Sequence, residues 1–267
     1  MKRIIKYLLL LTIFVLAITI SVTAYAATYN VDTSNLTKGI ISVNYSSDTG
    51  KKYMLKIAKG DEKVFYSLTN NLTDSFSLTF GNGDYDIKIM MNTTGISYTS
   101  VYAVKVNLSV SDSESIYLNS IQNVKWNENM DSIDYAEKIV YETVESLIQK
   151  ARLYELIIFN YSYDSNKYSN VKNASYLPVI DDTFHSQMGI CYDFSSLLAG
   201  MLRSQGVPTK LVTGYASYTT EYHAWNEVLI NGKWMVIDTT YDAYYVKKGK
   251  EVEMFKDPSI YTKVYEY

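Results

Sequence analysis

Cys191, His223 and Asp238 are the side chains of this 267-residue chain whose types and order could carry out nucleophilic chemistry. Cys191, the only cysteine, sits in Gly189-Ile190-Cys191-Tyr192-Asp193-Phe194. His223 follows in Tyr222-His223-Ala224-Trp225, and Asp238 in Val236-Ile237-Asp238-Thr239-Thr240. A thiol, an imidazole and a carboxylate are the parts of a cysteine nucleophile whose base is held by a third group. A lone cysteine cannot close an internal disulfide, so it is either buried filler or a working thiol.

The elements around these residues must bring them together. After Cys191 the apolar residues Phe194, Leu197, Leu198, Met201 and Leu202 recur at the spacing of one helical face, and Gly206 and Pro208 end the run. Cys191 therefore falls at or just before the first turn, where unpaired backbone N–H groups stabilise negative charge on sulfur. Gly189 would let the chain turn tightly into that helix. Downstream, Asn231-Gly232 between two apolar runs signals a two-residue hairpin. With Ile230 opposite Lys233, Trp225 lies opposite Asp238, and His223 becomes the diagonal neighbour of Asp238 on the same face. Such neighbours have Cα atoms about 7–8 Å apart, within reach of an imidazole and a short carboxylate. A bulge of one residue would turn the two faces apart.

The rest of the chain bounds the setting. Met1-Lys2-Arg3, an apolar run from Tyr7 to Ile20 and Ala24-Tyr25-Ala26 read as a secretory signal cut after Ala26. The run is short for a membrane span, which needs about 20 apolar residues; the alternative is an uncleaved N-terminal anchor. Cleavage would remove Lys2, Arg3 and Lys6 and move the net charge from −3 to −6. That balance excludes a basic nucleic-acid footprint.

From residue 27 to 125, short alternating runs such as Tyr53–Ile57, Tyr85–Ile89 and Val101–Val106 are separated by turn signals, which argues for an all-β, sandwich-like domain of about seven strands. No catalytic cluster falls in it, and it reads as a spacer or binding module. Residues 126–267 would form the catalytic domain. There Asp131 is a helix N-cap candidate, followed by an apolar stripe through Ile133, Ala136, Ile139, Val140, Val144, Leu147 and Ile148 towards Ile157 and Ile158. Residues 160–182 read as a long polar loop. His185 lies just beyond it without an evident orienting acid, and reads as an access-loop residue. The 27 tyrosines exceed what one core needs; exposed aromatics could bind a partner, but base bias in the gene accounts for the excess more simply.

On these residues the chain resembles the transglutaminase-like superfamily. The matching segments are Gly189–Phe194, Met201–Lys210, Gly214-Tyr215, His223–Val228 and Trp234–Thr240, with His 32 residues after Cys and Asp 15 further on. Upstream, Ala151-Arg152 and Asn160–Asp164 are similar to the helix and loop before the cysteine in bacterial members. The resemblance covers roughly residues 131–242 and none of the N-terminal part.

It implies an α+β fold: a papain-like core in which a Cys-bearing helix packs on an antiparallel sheet that supplies His and Asp. By motif, Cys191 would be the nucleophile, His223 the base and acid, and Asp238 the orienting group. The Cys191 N–H would be one oxyanion donor and Gln187 a candidate for the second. Tyr163 and Tyr222 are candidate cleft residues, and Trp225 a core residue or pocket wall. No metal or organic cofactor is implied, and no compact acidic loop suggests calcium activation. The expected function is exported, cysteine-dependent acyl transfer on carboxamide or peptide bonds. The substrate would be a protein or peptide, cell-wall peptide among the candidates, with no nucleic acid and no membrane after signal cleavage. The competing expectation is a non-catalytic surface or cell-wall binding module that keeps the fold.

Overall fold

The computed structural model describes residues 27–141, 146–172 and 175–267. The signal-like segment 1–26, with its cut after Ala26, and Val144 of the helical stripe lie outside the described residues.

The first part holds strands β1 (Thr28–Asp32), β2 (Ile40–Ser46), β3 (Tyr53–Lys59), β4 (Glu62–Leu68), β5 (Thr73–Ser77), β6 (Gly83–Asn92) and β7 (Tyr98–Leu108). They form two antiparallel sheets, ordered β1-β2-β5 and β4-β3-β6-β7. Alternation decides which face is buried: Tyr53, Leu55 and Ile57 of β3 point inward while Met54 and Lys56 do not. Ile41, Val43 and Phe76 from one sheet meet Leu55, Ile57, Ile87 and Ile89 from the other in one core. This is the all-β sandwich that the alternating runs predict.

The second part runs α1 (Asp131–Tyr141), α2 (Ser146–Asn160), β8 (Ser162–Tyr163), α3 (Ser165–Val171), α4 (Ile180–Ser186), β9 (Met188–Gly189), α5 (Cys191–Ser204), β10 (Thr209–Ala216), β11 (His223–Ile230), β12 (Lys233–Ile237), α6 (Thr239–Val246) and β13 (Tyr261–Glu266). Four strands make an antiparallel sheet ordered β12-β11-β10-β13. Phe194, Leu197, Leu198, Met201 and Leu202 of α5 are buried against Val228, Ile230 and Ile237 of that sheet and Leu153, Ile157 and Ile158 of α2. Each such side chain contributes about 1.5–3 kcal/mol on full burial. The result is the expected α+β core, a cysteine-bearing helix laid on an antiparallel sheet. No helix among the described residues is long and apolar enough to cross a membrane.

Two expectations change. The stripe from Ile133 to Ile158 falls on two described helices, α1 and α2, whose Ile133, Ala136, Leu153, Ile157 and Ile158 share one core. The supposed loop 160–182 contains β8, α3 and the start of α4. Helix α3 (SNKYSNV) has no apolar stripe to reveal it; it is held instead by polar anchors. The Asp164 side chain caps it by accepting the Lys167 N–H at 2.9 Å, and Lys167 Nζ reaches Asp193 at 2.9 Å.

The β sandwich is more than a spacer. Ala199, Leu211 and Tyr267 of the second part belong to the same hydrophobic core as Tyr66, Phe76 and Val124 of the first. Asn123 donates to the Tyr192 hydroxyl at 2.6 Å, and Ser196 Oγ donates to the Asn123 carbonyl at 2.9 Å, so the connecting segment touches the helix that starts at Cys191. The buried Arg203 guanidinium donates to the carbonyls of Asn119, Thr209 and Tyr267 at 2.7–2.8 Å.

Candidate active site

Cys191 is the first residue of α5, with Ile190 in extended conformation before it. The Asp193 carboxylate, fully buried, accepts the Ile190 N–H at 2.8 Å and also binds Lys167 and the Tyr176 hydroxyl. Gly189 is needed for close approach rather than for a left-handed turn: a Cβ there would lie 2.7 Å from Asp193 Cβ. The strand before the cysteine is fixed by β8, through Ser162 N–H to Gln187 O at 2.9 Å and Asp164 N–H to Gly189 O at 2.8 Å. Helix entry, capping and strand pairing thus set the sulfur's position from three sides. No described hydrogen bond uses the Cys191 backbone N–H, which leaves it free to face an oxyanion.

The hairpin adopts the register that the Asn231-Gly232 turn implies, from Ile230 opposite Lys233 to Asn226 opposite Ile237. Both turn residues have positive φ, 51° and 74°, as a type I′ turn requires. His223 at the start of β11 and Asp238 just past β12 then meet, Nε2 to Oδ2 at 2.8 Å. The ring's other nitrogen is left for Cys191, which is near enough to raise the His223 pKa and borders the same two cavities. The structure therefore brings Cys191, His223 and Asp238 together, with His223 and Asp238 hydrogen-bonded and Cys191 beside the imidazole. Cys191 and His223 are 7% and 8% exposed, and Asp238 is wholly buried.

Asp238 is also the N-cap of α6, its Oδ1 accepting the Tyr241 N–H at 3.0 Å. Its Oδ2 accepts two phenols besides the imidazole, from Tyr218 and from Tyr261 at 3.1 Å. Tyr261 arrives on β13, which Gly214 admits: a Cβ on Gly214 would lie 2.1 Å from the Thr262 carbonyl, where the β10–β13 pairing shifts register. Neither tyrosine was legible in the sequence. No spacing marks them out among 27, and Tyr261 lies beyond the resembling segment.

Burial pulls His223 towards neutrality, but the charge and hydrogen bond of Asp238, with the neighbouring Cys191, outweigh it and push its pKa up to about 10. For Asp238 burial acts upward, and the His223 charge and hydrogen bond, with those from Tyr218 and the Tyr241 N–H, hold it below the usual carboxylate range. Both shifts favour imidazolium beside carboxylate.

Two cavities, of about 700 and 670 Å³, both reach Cys191 and His223. Tyr168, Glu221 and Tyr222 border both, and the Tyr168 hydroxyl donates to the Glu221 carboxylate, joining α3 to the β10–β11 loop. The first cavity is walled by tyrosines, among them Tyr163, Tyr218, Tyr241 and Tyr244. Part of the tyrosine excess is therefore at the site. Tyr222 also donates to or accepts from Thr213 Oγ1 at 2.8 Å. Two candidates are not brought into the cleft. Trp225 is 1% exposed, packed on Tyr261 and behind His223, and lines neither cavity. Gln187 is exposed at the C-cap of α4 with φ 53° and lines neither cavity. His185 does have an acid, Asp131, at 3.0 Å, in an exposed pair that also lies outside both cavities.

No curated protein matches the chain. Among solved structures, a candidate cysteine protease from Cytophaga hutchinsonii is similar over 91% of this chain and 70% of its own, at 17% identity and a TM-score of 0.45. The periplasmic domain of TgpA from Pseudomonas aeruginosa is similar over 82% and 95%, at 12% identity and 0.37. A TGase is similar over 42% and 34%, at 18% identity and 0.35. Likenesses this distant say nothing about activity. The family model of the transglutaminase-like superfamily matches residues 133–239, a segment containing Cys191, His223 and Asp238. Over that segment the chain is similar to the transglutaminase-like superfamily.

Proposed function

We propose that the protein is an exported cysteine enzyme that transfers acyl groups from carboxamide or peptide bonds through a Cys191 thioester. The observation that carries this reading is the hydrogen-bonded His223–Asp238 pair beside Cys191, with Cys191 and His223 lining two cavities. Cys191 sulfur attacks the carbonyl carbon, and His223 delivers its proton to the departing amine as the C–N bond breaks. The Cys191 N–H, unused in the fold, faces the developing oxyanion. Water or a second amine then attacks the thioester, His223 takes its proton, and the thiol is restored. Two cavities that share Cys191 and His223 in their walls would suit an acyl chain in one and a leaving or accepting group in the other. The signal-like segment ending at Ala26 supports the exported part of this reading.

The test is incubation of the mature protein with glutamine-containing peptides, with and without a biotinylated primary amine, read by mass spectrometry. Cys191-dependent amine incorporation identifies a transglutaminase; cleaved or deamidated peptides without adduct identify a hydrolase using the same thioester. Products that persist at full rate in Cys191→Ala refute the reading.

A further inference from the structure

The Asp238 carboxylate is unusually loaded on one atom. Three donors converge on Oδ2: His223 Nε2 at 2.8 Å, the Tyr261 hydroxyl at 3.1 Å and the Tyr218 hydroxyl. Oδ1 receives only the Tyr241 N–H. A carboxylate offers about four lone-pair sites over its two oxygens, so three donors on one oxygen compete for about two. The phenols come from separate elements, Tyr218 from the β10–β11 loop and Tyr261 from β13, with rings 6.0 Å apart. Their convergence on the oxygen that holds the imidazole is not a by-product of one local turn.

We propose that Tyr218 and Tyr261 are positioning residues that hold the Asp238–His223 pair below full strength, so that His223 can release its proton to a leaving amine. The physics is a competition. Each phenol draws charge from Oδ2, which weakens the grip of that oxygen on the imidazolium. Removing a phenol leaves more negative charge for His223 alone. The imidazolium is then more stable and a poorer acid. Burial, and then the Asp238 charge, hold both phenols well above the usual tyrosine range, so they remain donors at any pH where the protein works.

The groups facing the pair are few. Cys191 faces His223 from α5. Tyr241 and Asp242 approach Asp238 from α6, with Asp242 bound to Lys256 and to the Tyr154 hydroxyl of α2. Of these, only the sulfur competes for the imidazole, so the titration of His223 can be read in a Cys191→Ala background without it.

The chain has two histidines, which makes the test direct. The pH titration of the His223 ring carbon-bound proton is followed by NMR, with exposed His185 as internal reference. In the Cys191→Ala background, adding Tyr218→Phe and Tyr261→Phe together should move the His223 midpoint upward by about one pH unit, a tenfold change in proton affinity. His185 should not move. Tyr261→Phe alone, which removes the longer bond, should shift it in the same direction by less; it serves if the double variant does not fold. An unchanged or lowered His223 midpoint in a variant with native His185 behaviour would overturn the proposal, because phenols that merely fill space or anchor the loop would give that result.

This inference rests on the acyl-transfer reading only for its consequence. With Cys191 intact, the phenylalanine variants should lose more kcat on an anilide, whose leaving amine needs the proton, than on a nitrophenyl ester, which does not. Equal losses on both would overturn the functional half. Absence of turnover on either substrate in the unmodified protein counts against the acyl-transfer reading and leaves the NMR result to decide the role of the phenols.

Discussion

Replacing Asp238 by Asn probes the site with the least change of shape. The side chain is fully buried and receives four donors, three on Oδ2 and one on Oδ1. An amide has one acceptor oxygen. Its best orientation keeps that oxygen towards His223 and the two phenols and turns its NH₂ against the Tyr241 N–H. One orphaned donor in a buried place costs about 1–3 kcal/mol of stability. The larger effect falls on charge. A rise of His223 from the usual 6.5 to about 10 corresponds to about 5 kcal/mol favouring imidazolium, the net left after Asp238 and Cys191 have overcome the burial penalty. Without it, burial is opposed only by Cys191, and His223 should be mostly neutral at pH 7.5. Cys191 then loses the neighbouring positive charge that favours reaction at its sulfur. Alkylation of Cys191 by iodoacetamide at pH 7 should slow by about a hundredfold or more, less than the full figure because water and side chains relax around the site. The assay is the rate of mass gain against pH, with thermal melting run beside it to separate reactivity from stability. An Asp238→Asn protein that folds and alkylates with the unaltered protein's rate and pH profile would refute the argument that Asp238 charges His223.

Stability should respond to pH through the same pair. The folded pKa of His223 lies above its unfolded value, so its contribution is fully present below about 6.5 and is lost as pH rises through about 10. Asp238 lies below its unfolded value, so its contribution is lost as pH falls through the acid range. The gap in Tm between the unaltered protein and Asp238→Asn should therefore be widest around pH 5–6 and narrow towards pH 10; a gap that widens with alkali would contradict the sign. Gly189→Ala should destabilise by about 1–3 kcal/mol through overpacking against Asp193, measured by denaturant unfolding, and should slow Cys191 alkylation because the helix entry moves. Gln187→Ala should leave turnover within about twofold, since its side chain lies outside both cavities and surface changes are mild; a loss of tenfold or more would return it to the site.

Much of this site was written in local rules. A stripe from Phe194 to Leu202 has one solution, a helix with that face buried, and Asn231-Gly232 admits only a tight turn, which fixes the register and with it the meeting of His223 and Asp238. Those constraints act over a few residues and so can be read from a few residues. Helix α3 could not be read that way, because its anchors, Asp164 and the buried Asp193, act through side-chain bonds and not through periodicity. Tyr218 and Tyr261 escaped for a related reason. They reach Asp238 from 20 residues before and 23 after it, by a loop and a strand whose placement depends on the whole sheet. Gln187 misled in the opposite sense: it is near Cys191 in sequence, yet its left-handed backbone ends α4 and leaves the side chain outside.

The core shared by the sandwich and the catalytic helix has a consequence for how the molecule comes apart. Tyr66 and Tyr267 pack ring to ring at 5.8 Å across the junction, and Arg203 ties the end of α5 to Asn119 and to Tyr267. Opening that seam would strand a guanidinium and several rings in water at once, so the two parts should exchange their amide protons as a single cooperative unit. A nick in the segment between β7 and α1 would then leave the halves associated and Cys191 in place. A cysteine site built against its neighbour in this way borrows its rigidity from strands that supply none of its side chains.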